Sequence, residues 1–517
     1  MRMRSCRRVV SGSFGFRISS EMGYYYDRKQ NIWSVCRESF GWLAWTLFCL
    51  CFIVMFILVF IAVGIIVSSG NEEHRINQVE VDIAKASIAL QRLEQHDSVA
   101  FKEAAKALFL AAMTLKSPCT RKSTSSSNGS KRFCPALKCH PNFKKHSSVA
   151  SIDCAPFFVK SQKTSERITL DPQEELAMDC VSILNRHHFP NEPLSQEEAQ
   201  FPIAQARLDY FVVEQMLALQ YSPQNTYCFS LDKKANGSFK SSVRKLASCF
   251  KNVYVPEREL DLDSFGHNMN TAHWDCVKEM RHNSWEYVYL LQNHDIPLRT
   301  NLETVKILKI FNGSNDVEFG PLSRQQMFRF DTASVFTFEG LKLFKNESLN
   351  TKQILKVARG SVQAAFSRKA INFMLEEMNI DNLFVALDRG TKMVDEAFAA
   401  TLQTSPSIAL PGGCSRECID RHDKHTPHMG RKVVWQDEHF QESCKSGQVR
   451  HGLCVFGIED LPSIVKYPET YINKMTPDFD YLVFSCIAEK VFQRAQKAQV
   501  KVDLKAYEEH IKKHRPC

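Results

Sequence analysis

Four short stretches of this chain set chemically versatile residues close together. In order they are LQNHDIPLRTN (291–301), VDEAFAATL (394–402), QVRHGLCVFGIEDL (448–461) and YINKMTPDFD (471–480). They supply an adjacent carboxylate pair, Asp395-Glu396, and separated cations such as Arg450 and Lys474. A carboxylate can take a proton from an attacking hydroxyl, and fixed cations can neutralise a departing phosphate. A chelated metal can do the second job. Two Asp-x-Asp strings, Asp261-Leu262-Asp263 and Asp478-Phe479-Asp480, have the residue types for it. So short a pattern is common, however, and neither string falls at a clear strand end. CSRECIDRHDKHTPH (414–428) sets two Cys and three His at metal-like intervals. In an oxidising compartment a disulfide is the expected fate of those cysteines, so no metal site is assigned.

The elements that must position these residues read as α/β. Short apolar runs, TYCFSLD (226–232) and EYVYLLQN (286–293), look like buried strands. They alternate with helical patterns, LETVKILKIF (302–311) and ARGSVQAAFSRKAINFMLEEM (358–378). Such alternation predicts a largely parallel sheet, and no internal repeat is visible.

Upstream, the sequence is organised differently. Trp42–Val67 is almost wholly apolar and exceeds the ~20 residues that a helix needs to cross a bilayer. It is too long, and begins too far in, for a cleaved signal peptide. Residues 1–40 hold eight Lys/Arg against three acids, which places the N-terminus in the cytoplasm. The expected division is a cytoplasmic tail (1–40), a transmembrane signal-anchor (41–68), a luminal stem (69–153) and a catalytic domain (154–517). In the stem, Ile76, Val79, Ile83, Ala86, Leu90 and Leu93 form a heptad seam that suits either a homodimer or a solvated spacer helix. A Ser/Lys-rich linker follows it. The tail's +5 out of a total +9 leaves about +4 for the rest, too weak a surplus to indicate nucleic acid. Of 18 cysteines, 14 lie beyond the anchor, as do the sequons at Asn128, Asn236, Asn312 and Asn346; both fit a lumen.

The four stretches, in this order, resemble the core-2/I-branching β-1,6-N-acetylglucosaminyltransferases, glycosyltransferase family 14. The similarity runs over roughly residues 150–500. It implies a GT-A-type, Rossmann-like glycosyltransferase domain behind the single transmembrane helix and helical stem. It also implies a Golgi type II enzyme with its catalytic domain in the lumen. The implied reaction moves GlcNAc from a UDP donor to the 6-hydroxyl of a galactose or GalNAc-containing O-glycan, with inversion and without a cofactor or metal.

Residue by residue, the resemblance implies Glu396 as the base and Arg450 and Lys474 as the diphosphate's cations. It implies Asp232, at the end of a strand, for uridine, where α/β sheets bind nucleotides; Leu208 stands in for a further uridine contact. Glu318 and Trp435 are implied on the acceptor side, and Asp295 and Arg299 as polar members of an active-site loop, with His294 at a variable position. Four disulfides are implied: Cys154–Cys486, Cys180–Cys249, Cys228–Cys276 and Cys444–Cys454. Cys414 and Cys418 are left to bridge each other or pair elsewhere, and Cys119, Cys134, Cys139 and Cys517 have no implied partner. The chain departs from the family pattern after Phe201-Pro202-Ile203-Ala204, where it is shorter. A donor of UDP-glucose or UDP-xylose, or a fold kept only for glycan binding, are the alternatives.

Overall fold

The computed structural model describes residues 141–162, 166–170, 176–207, 211–292, 294–323, 336–414, 425–437, 439–497 and 502–514. The tail, the apolar stretch, the heptad seam, Asn128, Leu208, Cys119, Cys134, Cys139, Cys418 and Cys517 fall outside them. Among the described residues no helix is long and apolar enough to cross a membrane.

The main sheet contains β1 (Ile203–Arg207), β2 (Thr226–Phe229), β3 (Val253–Tyr254), β4 (Tyr287–Leu290), β6 (Asp316–Gly320) and β7 (Arg359–Ser367), in the order β3-β2-β1-β4-β7-β6. Strands β1 to β4 are mutually parallel, and β7 runs antiparallel to both β4 and β6. Every side chain of β2 and β4 is buried, as expected for parallel strands covered on both faces. Val288, Leu290, Ala364 and Phe366 pack on one face against Trp274 and Val277 of helix Met269–Met280 and Leu383 and Phe384 of helix Ile380–Leu387. Ile203, Tyr287, Tyr289 and Ala365 pack on the other against Val305, Leu308 and Phe311 of helix Asn301–Phe311. The result is three layers, helix–sheet–helix.

Residues 358–378, which read as a single helix, are instead two elements. Arg359–Ser367 is strand β7, and helix Arg368–Glu377 begins only after it. Ser367 marks the boundary, its hydroxyl accepting from Ala370 N at 3.3 Å. Eight of the nine β7 residues are buried, so no alternation betrays the strand. Burial between β4 and β6 overrides the helical look of its Ala and Gln.

A second sheet, β5-β11-β8, joins β5 (Ile296–Pro297), β11 (Tyr471–Ile472) and β8 (Arg431–Lys432); β9 (Val449–Arg450) and β10 (Leu453–Cys454) form a separate hairpin. The motif LQNHDIPLRTN thereby decodes into structure. Ile296 pairs with Ile472. Thr300 and Glu303 form a reciprocal capping box for helix Asn301–Phe311, and Asn312 ends that helix in the left-handed region.

The first and last parts of the described body meet. Cys154–Cys486 closes a separation of 332 residues, and Arg167 donates to Glu459 (2.5 and 2.7 Å) and Asp480 (2.6 Å). Packing onto this body starts before residue 154: Val149 is fully buried, and the rings of Phe143 and Phe492 lie 5.5 Å apart. The other disulfides are Cys180–Cys249, Cys228–Cys276 and Cys444–Cys454. Asn236, Asn312 and Asn346 are all exposed, each at a helix end.

Candidate active site

One edge of the main sheet collects the candidate residues. Strand β2 runs into Asp232, β4 into His294 and Asp295, and β6 carries Glu318 in its second half. Strand β7 starts at this same edge, because it runs antiparallel to β4 and β6. The carboxyl ends of parallel strands are where an α/β sheet leaves a crevice. Asp232 is partly exposed there, accepting from Lys234 N at 2.9 Å.

Two cations are held beside the β4 end without neutralising partners. The β5–β11 register brings Asp295 opposite Asn473, and Asn473 Nδ2 donates to Asp295 Oδ1 at 2.9 Å. That bond fixes the segment carrying Lys474, whose own carbonyl accepts from Phe456 N at 2.9 Å. Arg450 stands on the β9–β10 hairpin, whose two turn residues, His451 (φ 55°) and Gly452 (φ 76°), both lie in the left-handed region that such a tight hairpin demands. Disulfide Cys444–Cys454 anchors its second strand. Trp435 bridges to Leu453 and covers Gly452, yet remains 52% exposed.

Neither the Arg450 guanidinium nor the Lys474 ammonium makes a hydrogen bond or ion pair with any described residue. Burial, and then the charges of Arg450 and Arg431, lower the Lys474 pKa from its ordinary value, against the pull of Asp295. Like charges held together in this way form an anion site.

Glu396 lies in the 3-10 turn Val394–Ala397, just ahead of helix Phe398–Gln403. Thr401 Oγ1 pins that helix to the start of β7, accepting from Ala358 N at 3.0 Å. Gly360 lets β6, β7 and this helix close up: a Cβ there would collide with the Glu318 carbonyl. The two carboxylates of the pair differ sharply. Asp395 is 7% exposed and packed against Gly266, which sits at φ +92° where a Cβ would strike the Asp395 carboxylate. Burial, with the charges of Asp388 and Asp263, pushes the Asp395 carboxyl up to about 6. Glu396 is half-buried.

Glu318 meets residues that the sequence offered for a different purpose. His425 Nε2 lies 2.5 Å from Glu318 Oε1, and His428 Nδ1 lies 3.3 Å from Oε2. Two histidines of the metal-like 414–428 string thus clamp the implied acceptor carboxylate. Among the described residues there is no group of three or more ligands that could hold a metal ion. Burial would raise the Glu318 carboxyl, but the hydrogen bonds and charge of His425 and His428 hold it well below the usual carboxylate range. Burial likewise opposes charge on His428, and Glu318 and Asp316 more than compensate, raising its pKa. Cys414 forms no disulfide.

Three of the four Asp-x-Asp carboxylates are committed to structural contacts. Asp480 takes Arg167 and caps Ile458 N and Leu482 N. Asp263 bonds His267 at 2.6 Å, and Asp261 is paired with Lys234. Arg299 also serves the scaffold, donating to the Tyr467 carbonyl at 2.6 Å and the Tyr507 hydroxyl at 3.1 Å. The clamp histidines escaped the sequence reading, since only the fold brings residues 425–428 beside β6.

Strand-end carboxylates, the Asp395-Glu396 pair and two unpaired cations are the candidate residues that this α/β sheet presents. Residues 203–465 match the model of the Core-2/I-Branching enzyme family. The chain belongs to that family, and is by that membership a glycosyltransferase. The human beta-1,3-galactosyl-O-glycosyl-glycoprotein beta-1,6-N-acetylglucosaminyltransferase is 28% identical over 64% of this chain and 79% of its own length. The human N-acetyllactosaminide beta-1,6-N-acetylglucosaminyl-transferase is 28% identical over 60% of this chain and 76% of its own. Among solved structures, the mannosyltransferase Ktr4p of S. cerevisiae aligns at 10% identity over 48% of this chain and 81% of that one, with a TM-score of 0.22.

Proposed function

We propose that the protein transfers a sugar, GlcNAc or a close relative, from a UDP donor to the 6-hydroxyl of an O-glycan core or galactose, forming a β-1,6 branch. The observation that carries this reading is the pair of unpaired cations, Arg450 and Lys474, beside the strand-end crevice. In the proposed step the acceptor O6 attacks the anomeric carbon from the face opposite the diphosphate. Glu396 takes the hydroxyl proton, the bond from the anomeric carbon to the phosphate oxygen breaks, and UDP leaves against Arg450 and Lys474. A single displacement of this kind turns an α-linked donor into a β product. Asp232 contacts the uridine, with Leu208 beyond β1; Glu318 and Trp435 receive the acceptor. Two fixed cations make a divalent metal unnecessary. The relatives' names support GlcNAc and a glycoprotein acceptor. The apolar stretch Trp42–Val67, with the basic tail before it, supports a Golgi type II topology.

The test is a panel of UDP-sugars offered to the full-length protein with a Gal-β1,3-GalNAc acceptor in excess EDTA. EDTA-resistant formation of a β-1,6 product is expected, and the panel identifies the sugar. No transfer from any donor, with UDP still bound, would replace this reading by glycan binding alone.

The histidine clamp predicts a pH dependence on the acceptor side. A raised His428 pKa means that the clamp's contribution is complete below the ordinary histidine value and lost as pH rises through the folded value. The lowered Glu318 pKa means a contribution present above the ordinary carboxylate value and lost only in acid. The clamp therefore holds best in mildly acid solution and loosens above neutrality. At saturating donor, acceptor KM should fall roughly fivefold as pH rises from 6 through the folded His428 value, the equivalent of about 1 kcal/mol for this largely buried ion pair. The trend should vanish in His428→Gln; a flat wild-type profile would mean that the clamp does not compete with the acceptor.

A further inference from the structure

His294 is the residue of this edge to which no role has been given. It lies directly beyond β4 with φ +65°, in the left-handed region that a non-glycine residue seldom occupies. The β5–β11 register pairs Ile296 with Ile472, and just beyond it Asp295 meets Asn473, so that His294 and Lys474 each adjoin a member of that bonded pair. The Asp295–Asn473 hydrogen bond locks that alignment at 2.9 Å. The charges of Lys474 and Arg450 both act on the imidazole. Its Nδ1 is buried and has no hydrogen-bond partner. A buried polar atom left without a partner costs free energy unless something else satisfies it.

We propose that His294 is a third ligand of the leaving diphosphate, its Nδ1 donating to a phosphate oxygen as a proton is taken up on binding. The inference rests on the diphosphate reading of Arg450 and Lys474 and adds to it a residue specific to this chain. The electrostatics support it. Burial, then the positive charges of Lys474 and Arg450, hold the imidazole down at about 4, opposed by Asp478 from the first turn of helix Pro477–Ala495. At neutral pH the ring is therefore uncharged while the two cations stand unscreened. A diphosphate between them cancels the repulsion and offers an acceptor oxygen, and both effects favour the imidazolium. His294 then adds a charge-assisted hydrogen bond while sparing the donor-free protein a third like charge.

Calorimetry on the full-length protein at pH 7.5, in buffers of differing ionisation enthalpy, reads the linkage directly. UDP is fully ionised at that pH, so net proton uptake comes from the protein. Uptake is expected with UDP and not with uridine. His294→Asn, which tolerates the left-handed backbone, should abolish the uptake and weaken UDP about 5–20-fold, the equivalent of one charge-assisted hydrogen bond. Uridine affinity should stay unchanged. His294→Lys should restore UDP affinity without restoring the uptake. Equal uptake in wild type and His294→Asn, or equal weakening of UDP and uridine, would overturn the proposal while leaving Arg450 and Lys474 in place. Failure of wild-type protein to bind UDP would instead overturn the diphosphate reading itself.

Discussion

Glu396→Gln is expected to lower kcat by about 10²–10⁴-fold, the usual contribution of a positioned general base, with donor affinity and folding unchanged. Glutamine keeps the shape of the side chain and its hydrogen-bonding reach but cannot accept the acceptor's proton. The neighbouring carboxylate supplies the control. Asp395 is buried against Gly266, and its carboxyl sits near 6 because it is desolvated. Its folded pKa exceeds its ordinary value of 3.8, so stability linked to its protonation is complete below 3.8 and lost as pH rises through about 6. At pH 7 an ionised Asp395 is thus a net cost to the fold. Asp395→Asn should leave the melting temperature equal or higher there and reduce kcat far less than Glu396→Gln. Steady-state kinetics and thermal melts of the two variants decide the assignment. If Asp395→Asn were the dead enzyme and Glu396→Gln the live one, the base would be the buried member of the pair.

The site was legible in the sequence to the extent that its residues are local. Arg450 belongs to a hairpin whose His-Gly turn and flanking Cys are contiguous, and Lys474 follows the short strand that aligns it. The capping box Thr300–Glu303 and the buried runs of β2 and β4 were likewise written in short patterns. Legibility failed wherever long-range packing decided the outcome. β7 pairs with a strand at each edge and is covered by helices on both faces, so its composition passed for a helix. The string holding His425 and His428 had metal-like intervals but no assigned role, because nothing local shows that a carboxylate 107 residues earlier would stand 2.5 Å from one of them. The motif that carries Arg299 is contiguous, whereas the partners of that side chain, at Tyr467 and Tyr507, lie far along the chain.

Removing the cations should separate stability from catalysis, which no merely structural role predicts. Lys474→Met and Arg450→Met are each expected to cost about 10–100-fold in kcat/KM, the loss of one charge-assisted contact to the diphosphate at about 1.5–3 kcal/mol. Neither change breaks an ion pair, because neither residue has one among the described residues. Lys474 is instead disfavoured as a cation by its burial and by Arg450 and Arg431. Relieving that repulsion should leave the melting temperature unchanged or raise it. The unbranched methionine chain matches the apolar stem of lysine and keeps its packing, so a fall in stability could not be blamed on a large cavity. The two effects should also be coupled. With Arg450 already gone, Lys474 faces less repulsion but also works alone on the leaving group, so the double variant should depart from simple additivity. A double-mutant cycle on kcat/KM, run beside melts of all four proteins, measures both. Activity and stability falling together in each single variant would mark Lys474 and Arg450 as scaffold, and the anion site would lose its basis.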